Sequence, residues 1–399
     1  MARVCVVWEA PILAKTRLSR QIEALADADH EVDVICLRAP GELGFERKGS
    51  VTFRRLSIGQ LGGSFARYVI EHVAFFVVVT LLLSVGQVRR GYSVIQVSTV
   101  PDTLVFAAII PRLLGARVVL DLREPMPEFF ASRFGVSNQH PMVRAVCVLE
   151  QASIRFANAA ITCTTLMRDA FTGRGARRAK LRVVHDGADE RVFTVDGHAA
   201  GGGSAGRFTL ICHGTVEERY GLDTVIRAVA LLRPELPGLR FEIIGQGSYL
   251  PTLEELVREL GVEENIHFSG QFVPIPVLVS AIAAADVGVV AMKRDPFRDI
   301  TLCGKLFDFI SMGKPVIASR TRSVEEYFDD SCLRLFTSND SVDLAGAIRD
   351  LHADPGLRRE MAERATAANE PYRWQHGRQR YLEIIEQEIE RARPFPRSR

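Results

Sequence analysis

Three segments in the second half of this 399-residue chain carry residue types suited to gripping an anion. In His213-Gly214-Thr215-Val216-Glu217-Glu218-Arg219-Tyr220-Gly221 the glycines permit a tight loop, and the guanidinium of Arg219 can fork onto phosphate oxygens. Gly245-Gln246-Gly247 follows a strand-like run and opens a helix over Leu250 to Leu260. Its glycines let a ligand reach the backbone, and the helix N-terminus offers free N–H groups. Thr301-Leu302-Cys303-Gly304-Lys305-Leu306-Phe307-Asp308 predicts the start of a short helix whose dipole favours an anion. Lys305 adds a point charge there, and Asp308 lies on the same helical face three residues later. Plain alternatives stand beside each reading: a solvated loop arginine, a tight β–α turn, an i,i+3 ion pair. What joins the three segments is their position at the C-terminal ends of strands, where doubly wound sheets bind ligands. Together they point to a phosphorylated ligand, a nucleotide above all.

Other chemistries find no support. Gly202-x-Ser204-x-Gly206 spells a nucleophile elbow, which needs a strand before it and a helix after it; here the order is loop, then strand. Gly304-Lys305 and Gly313-Lys314 lack the upstream glycine and the following Ser/Thr of a P-loop. There is no His-Glu-x-x-His and no paired metal-ligand spacing, so no metal is expected. Seven scattered cysteines without a Cys-x-x-Cys pair indicate a reducing compartment.

The elements that position these segments are read from two series of apolar, β-rich runs, each run followed by a stretch of helical periodicity. The first series is Val4 to Trp8, Glu31 to Leu37, Val51 to Leu56, Ser93 to Ser98, Arg117 to Asp121, Ala160 to Cys163 and Leu181 to His185. The second is Phe208 to His213, Arg240 to Gly245, Ile266 to Ser269, Val287 to Ala291, Pro315 to Ser319 and Cys332 to Phe336. Val/Ile/Leu runs between helices predict parallel strands covered on both faces. The expectation is an α/β protein of two doubly wound Rossmann-like domains facing a central cleft, residues 1–198 and 207–373. The Gly-rich stretch 199–206 links them, and a helix over about 374–391 packs back on the first domain.

Fifty basic against 48 acidic residues leave a formal +2, too little to dictate nucleic acid as a partner. Residues 1–198 carry 25 basic and 19 acidic side chains, so the front half is basic and the rest acidic. The N-terminus runs into a strand pattern without a charged segment and an apolar leader, which predicts a cytoplasmic chain. The uncharged run Val73 to Val88 is shorter than the roughly 20 residues a bilayer span needs, and is read as a buried or interface-facing helix, with true membrane insertion as the alternative. That helix, the basic front half and the cluster Arg174, Arg177, Arg178, Lys180, Arg182 fit a lipid-linked acceptor and peripheral contact with the inner face of the cell membrane. A core helix and a solvated charged loop are the alternatives.

At the level of ordered motifs the chain resembles the retaining glycosyltransferases of family 4, which have the two-domain GT-B architecture. The resemblance rests on HGTVEERYGLD, FEIIGQGSYLPTLEELVRELGVEENIHFSGQFVP, AAADVGVVAM and KLFDFISMGKPVIAS in the second half. In the first half it rests on PDTLVFAAIIPRLLGARVVLDLREPMPEFF and VVHDGADERVF. It implies that the C-terminal domain binds a nucleotide-sugar donor: Arg219 and Lys305 on the diphosphate, Asp308 on the ribose hydroxyls, Gly214, Thr215, Gly245 and Gly247 around the nucleotide, and Phe272 and Val273 along the base. The family's first donor acid falls on Ile300, which leaves more of the work to the backbone of Thr301, Leu302, Cys303 and Gly304. On the acceptor side the family's Asp-x-His-Asp/Glu reads Asp121-Leu122-Arg123-Glu124, and its early Asp-Pro-Arg-Val reads Lys15-Thr16-Arg17-Leu18, keeping Arg17 and Arg20. His30 is read as a structural turn residue.

The resulting expectation is transfer of a hexose-type sugar from a nucleoside-diphosphate sugar, with retention and without a required metal or other cofactor, in cell-surface polysaccharide or glycolipid synthesis. Arg123, Glu124, Arg219 and Lys305 are the candidate catalytic residues. Two other readings stay open: a nucleotide-sugar binding subunit with impaired catalysis, motivated by Ile300 and Arg123, and a nucleotide-sugar 2-epimerase, for which no acid/base set is found.

Overall fold

Runs such as Val94–Ser98 and Val287–Val290 bury every side chain, as strands must when helices cover both faces of a parallel sheet. The computed structural model describes residues 1–12, 16–59, 65–195 and 206–393; the Gly-rich stretch 199–205 and Lys15 lie outside them. The chain forms two units, Met1–His185 with Gln375–Arg399, and Asp186–Trp374.

The first unit holds β1 (Arg3–Trp8), α1 (Arg17–Asp27), β2 (Glu31–Leu37), β3 (Phe45–Lys48), β4 (Val51–Leu56), α2 (Phe65–Arg90) and β5 (Val94–Ser98). A 3-10 segment, Asp102–Ala108, then leads into α3 (Ile109–Leu113), β6 (Arg117–Leu122), α4 (Met126–Phe134), α5 (Pro141–Phe156), β7 (Ala159–Thr162), α6 (Thr165–Gly173) and β8 (Leu181–Val183). The sheet order is β3-β4-β2-β1-β5-β6-β7-β8, parallel except for β3. Strand β3 does not figure among the predicted runs. Its sequence Phe-Glu-Arg-Lys lacks apolar alternation, and it exists as an antiparallel edge on β4.

The second unit holds β9 (Phe208–His213), α7 (Leu222–Leu232), β10 (Leu239–Ile244), α8 (Leu250–Leu260), β11 (Ile266–Phe268), α9 (Ile275–Ala284) and β12 (Val287–Val290). After these come α10 (Gly304–Ser311), β13 (Val316–Ser319), α11 (Arg322–Glu325), β14 (Arg334–Phe336), α12 (Ser341–Ala353) and α13 (Pro355–Asn369). Its all-parallel order, β11-β10-β9-β12-β13-β14, reverses direction between β9 and β12. That point of reversal leaves a crevice outside the carboxyl ends of β9 and β12, the usual ligand position in such sheets.

Helix α14 (Trp374–Arg391) packs on the first unit. Tyr381, fully buried, donates from its hydroxyl to Gln96 Oε1 (2.6 Å), Arg117 pairs with Glu388 (2.7 Å), and His30 Nε2 meets Glu386 Oε1 (2.8 Å). His30 thereby serves the fold, beside the left-handed turn at Asp29.

Helix α2 departs from the core-helix alternative. Phe75, Val79, Leu83 and Gln87, four residues apart, are buried, while Ile70, Val73, Val77, Leu81, Val85 and Val88 are exposed. Val69–Arg90 is long and apolar enough to cross a membrane, with mean hydropathy 2.2, yet one of its faces is packed on the fold.

Candidate functional site

The loops that follow β9 and β12 bring three cations to one aromatic ring. Lys305 Nζ lies 4.1 Å from the centroid of Tyr220, and the guanidinium carbons of Arg219 and Arg298 lie 5.6 Å from it. Such ring faces attract cations. Among the described residues none of the three has an ion-pair partner, and Arg219 Nε and Arg298 Nε are buried without a hydrogen bond. Three converging positive charges without a carboxylate make a focused positive field at the switch point of the sheet.

Each cation is held by local structure. Lys305 sits in the first turn of α10, is 8% exposed, and lies 3.7 Å from Cys212 Sγ. Burial works against its charge, and the Cys212 thiol and the Tyr220 ring that face it are neutral groups that supply no counter-charge. It makes no i,i+3 pair; Asp308 Oδ2 lies 3.5 Å from His213 Nε2 instead. Arg298 is anchored by its backbone: its N–H donates to Asp295 Oδ1 (2.7 Å), and its carbonyl accepts from Ser323 Oγ (2.9 Å). Its guanidinium also lies 4.5 Å from the Phe297 ring. The N-cap of α10, Cys303, supplies no side-chain hydrogen bond, which leaves the first N–H groups of that helix to other acceptors.

Gly245 and Gly247 are placed where two loops of the protein touch. A Cβ on Gly245 would stand 1.8 Å from the Gly214 carbonyl oxygen, and one on Gly247 would stand 2.0 Å from that of Val216. The β9 and β10 loops are zipped together: Gly214 N–H donates to Ile244 O (2.8 Å) and Val216 N–H to Gln246 O (3.0 Å). These glycines are therefore required by contact between the protein's own loops. Thr215 is exposed, Phe272 is 58% exposed, and Val273, Leu302 and Cys303 pack in part against the core that contains Leu306 and Phe309. Thr301 Oγ1 donates to Phe297 O (2.9 Å), and Gly304 is exposed.

In the first unit Arg17 and Asp121 are buried together, Arg17 Nη2 donating to Asp121 Oδ1 (3.2 Å) and Arg17 Nη1 to Val184 O (2.8 Å). Arg20 is buried and Glu124 half-buried. Arg123 lies 4.6 Å over the Trp8 ring, and its N–H donates to Thr99 Oγ1 (3.0 Å). The basic cluster near 174–182 is largely engaged in the fold. Arg174 binds Glu128 and Glu150 (2.5 and 2.8 Å), Arg178 pairs with Asp169 (2.6 Å), and Lys180 Nζ caps carbonyls at the end of α5, the shortest at Ala157 O (2.6 Å). Among the described residues no group of three or more His, Cys, Asp or Glu side chains is placed to hold a metal ion.

Residues 14–187 match the family model of the glycosyl transferase 4-like domain, and residues 207–354 that of the glycosyl transferases group 1. The chain belongs to the family 4-like glycosyltransferases. This glycosyltransferase is 28% identical over 294 residues to the GDP-mannose-dependent alpha-(1-6)-phosphatidylinositol monomannoside mannosyltransferase of Mycolicibacterium smegmatis, spanning 67% of this chain and 76% of the relative. It is 31% identical over 153 residues to the lipopolysaccharide core biosynthesis glycosyltransferase LpsE of Rhizobium meliloti, spanning 38% of this chain and 41% of that protein. Sucrose-phosphate synthase from Thermosynechococcus elongatus superposes with a TM-score of 0.76 at 18% identity, covering 97% of this chain and 99% of the other. Anabaena HepE in complex with UDP-glucose does so with a TM-score of 0.74 at 16% identity, covering 97% and 100%. These likenesses give the glycosyltransferase the GT-B fold.

Sequence reasoning on this glycosyltransferase missed two members of the cluster, Arg298 and Tyr220. Arg298 lies in a loop without a motif. Tyr220 adjoins Arg219, and an aromatic next to a loop arginine was the available signal.

Buried His213 adds a pH dependence. Its ring stacks on Phe193 and meets Phe309 edge-on, and its Nε2 has no hydrogen bond despite the nearby Asp308. Burial and the charge of Lys305 lower its pKa from 6.5 to about 3. The folded value lies below the unfolded one, so stability is complete above pH 6.5 and is lost as the pH falls towards 3. Urea unfolding should show wild type losing about 2 kcal/mol more than His213→Gln between about pH 7 and 5. Equal losses would show that the native state does not lower the pKa of His213.

Proposed function

We propose that this glycosyltransferase moves a hexose-type sugar from a nucleoside diphosphate, with retention of configuration, to a lipid-linked acceptor at the inner face of the cell membrane. Its product belongs to a cell-surface polysaccharide or glycolipid. The observation that carries this reading is the group of Lys305, Arg219 and Arg298 around Tyr220 at the switch point, without a carboxylate among the described residues to neutralise it. As the diphosphate departs, negative charge grows on its oxygens, and fixed cations with the N–H groups opening α10 stabilise that charge without reorganisation. Three cations supply what a divalent ion supplies in other transferases, so turnover proceeds without a metal. Asp308, set against His213, is the candidate partner for the ribose hydroxyls, and Arg123 the candidate grip on an anionic acceptor. The relatives named for phosphatidylinositol mannoside and lipopolysaccharide core synthesis support a lipid-linked acceptor.

The test is incubation with GDP- and UDP-sugars and a cell lipid extract, with the product identified by mass spectrometry and its anomeric configuration by NMR. Turnover should survive EDTA, and Arg298→Ala should lower kcat/KM roughly tenfold, the loss expected for one charge-assisted contact. Donor binding without turnover across acceptors would favour the second reading, an inactive binding subunit, to which Ile300 in place of an acid points. Absence of any donor binding would overturn both.

A further inference from the structure

In the first unit α2, the 3-10 segment with α3, α5 and α4 pack side by side as one helical layer. The outer surface of such a layer is ordinarily polar. Here it is apolar across several elements: Ile70, Leu81 and Val88 on α2, Leu113 on α3, Phe134 on α4 and Val148 on α5 are each at least 60% exposed. An exposed apolar surface of this extent marks an interaction site.

The charges on the same elements are one-sided. Arg67, Arg89, Arg112, Arg133, Arg144 and Arg155 are exposed. The acids of these segments are turned inward or taken: Glu71 pairs with Arg67 (2.9 Å), Glu128 and Glu150 bind Arg174, and Asp102 is buried. An apolar field studded with arginines and lacking exposed acids complements an anionic lipid surface. A second copy of the chain fits it poorly, since two such faces would bring arginines together with no exposed carboxylate between them.

We infer that the helical layer α2, α3, α4 and α5 is a docking face for an anionic bilayer surface, on which α2 lies in the plane of the lipid headgroups. Phe75, Val79 and Leu83, each 0% exposed, tie α2 to the fold and keep it from standing across the bilayer. Its 26 residues give about 39 Å of contact along the membrane. This rests on the proposed lipid-linked acceptor for its purpose, but its test needs neither donor nor acceptor.

Flotation of the full chain with vesicles of phosphatidylcholine, alone or mixed with phosphatidylglycerol, reads the proposal directly. Binding should be at least about tenfold stronger to the mixed vesicles and weaken with salt. Arg144→Ala should weaken it roughly fivefold, and Leu81→Glu, on an exposed position that leaves folding intact, should abolish it. GDP and UDP affinities of Leu81→Glu should match wild type, which separates this face from the donor site. Equal binding to both vesicle types, no binding to either, or a lipid-free dimer that Leu81→Glu dissociates would overturn the inference.

Discussion

Lys305→Met is expected to lower the transfer rate about 10²- to 10³-fold while raising the melting temperature of the protein. The two changes have one cause. Lys305 holds an ammonium group almost entirely out of water, beside a thiol 3.7 Å away and an aromatic ring, with no carboxylate partner. A buried charge without a counter-ion is costly in the empty protein and becomes favourable when a diphosphate supplies the missing charge. Methionine matches the length and flexibility of the lysine stem without the charge, so the empty state gains on the order of 1–2 kcal/mol. In a unit of this size that corresponds to about 2–4 °C per kcal/mol. Calorimetry with and without nucleoside diphosphate, alongside the transfer assay, checks both halves. Wild-type thermal stabilisation by the nucleotide should vanish in the variant. A variant that melts lower and still binds nucleotide normally would make Lys305 a structural residue.

Gly245→Ala is expected to destabilise the second unit by upward of about 3 kcal/mol, at the severe end for a single methyl group. The added carbon would meet the Gly214 carbonyl oxygen at 1.8 Å, and both partners are backbone, so no side chain can swing aside. Relief requires parting the β9 and β10 loops and breaking the Gly214 to Ile244 and Val216 to Gln246 hydrogen bonds. The φ of +149° at Gly245 adds strain for any residue with a Cβ. The β9 loop also leads to Arg219 and Tyr220, so nucleotide affinity should fall together with the urea midpoint. Gly304→Ala is the control: a methyl group there would have nothing within 4 Å of it, and stability should stay near wild type. A Gly245→Ala protein as stable as wild type would show that the loops are not locked together.

Much of the architecture was legible because it depends on local pattern. Apolar runs of four to seven residues set between stretches of helical periodicity read as strands with both faces covered. The spacing of Leu253, Leu256 and Val257 fixes a buried helical face within Leu250–Leu260, where α8 lies. Strand β3 was not legible, because an exposed edge strand needs no apolar pattern and owes its existence to β4. Helix α2 was legible as a helix but not as a surface. An all-round apolar sequence is equally consistent with a core and with lipid, and only the packing of Phe75, Val79 and Leu83 shows which side is spent on the fold.

The candidate site divides along the same line. By itself the sequence determined that cations and glycines lie after the ends of parallel strands in the second half, because residue type and position in a β–α unit are local properties. It also determined the family, through the order and spacing of its motifs. Only the tertiary structure decided that Lys305, Arg219 and Arg298, as many as 86 positions apart in number, share the ring of Tyr220, and that Gly245 and Gly247 serve loop-to-loop contact. Convergence of this kind depends on strand order. The reversal between β9 and β12 brings two distant loops to one crevice, and no run of neighbouring residues encodes which strands will be adjacent.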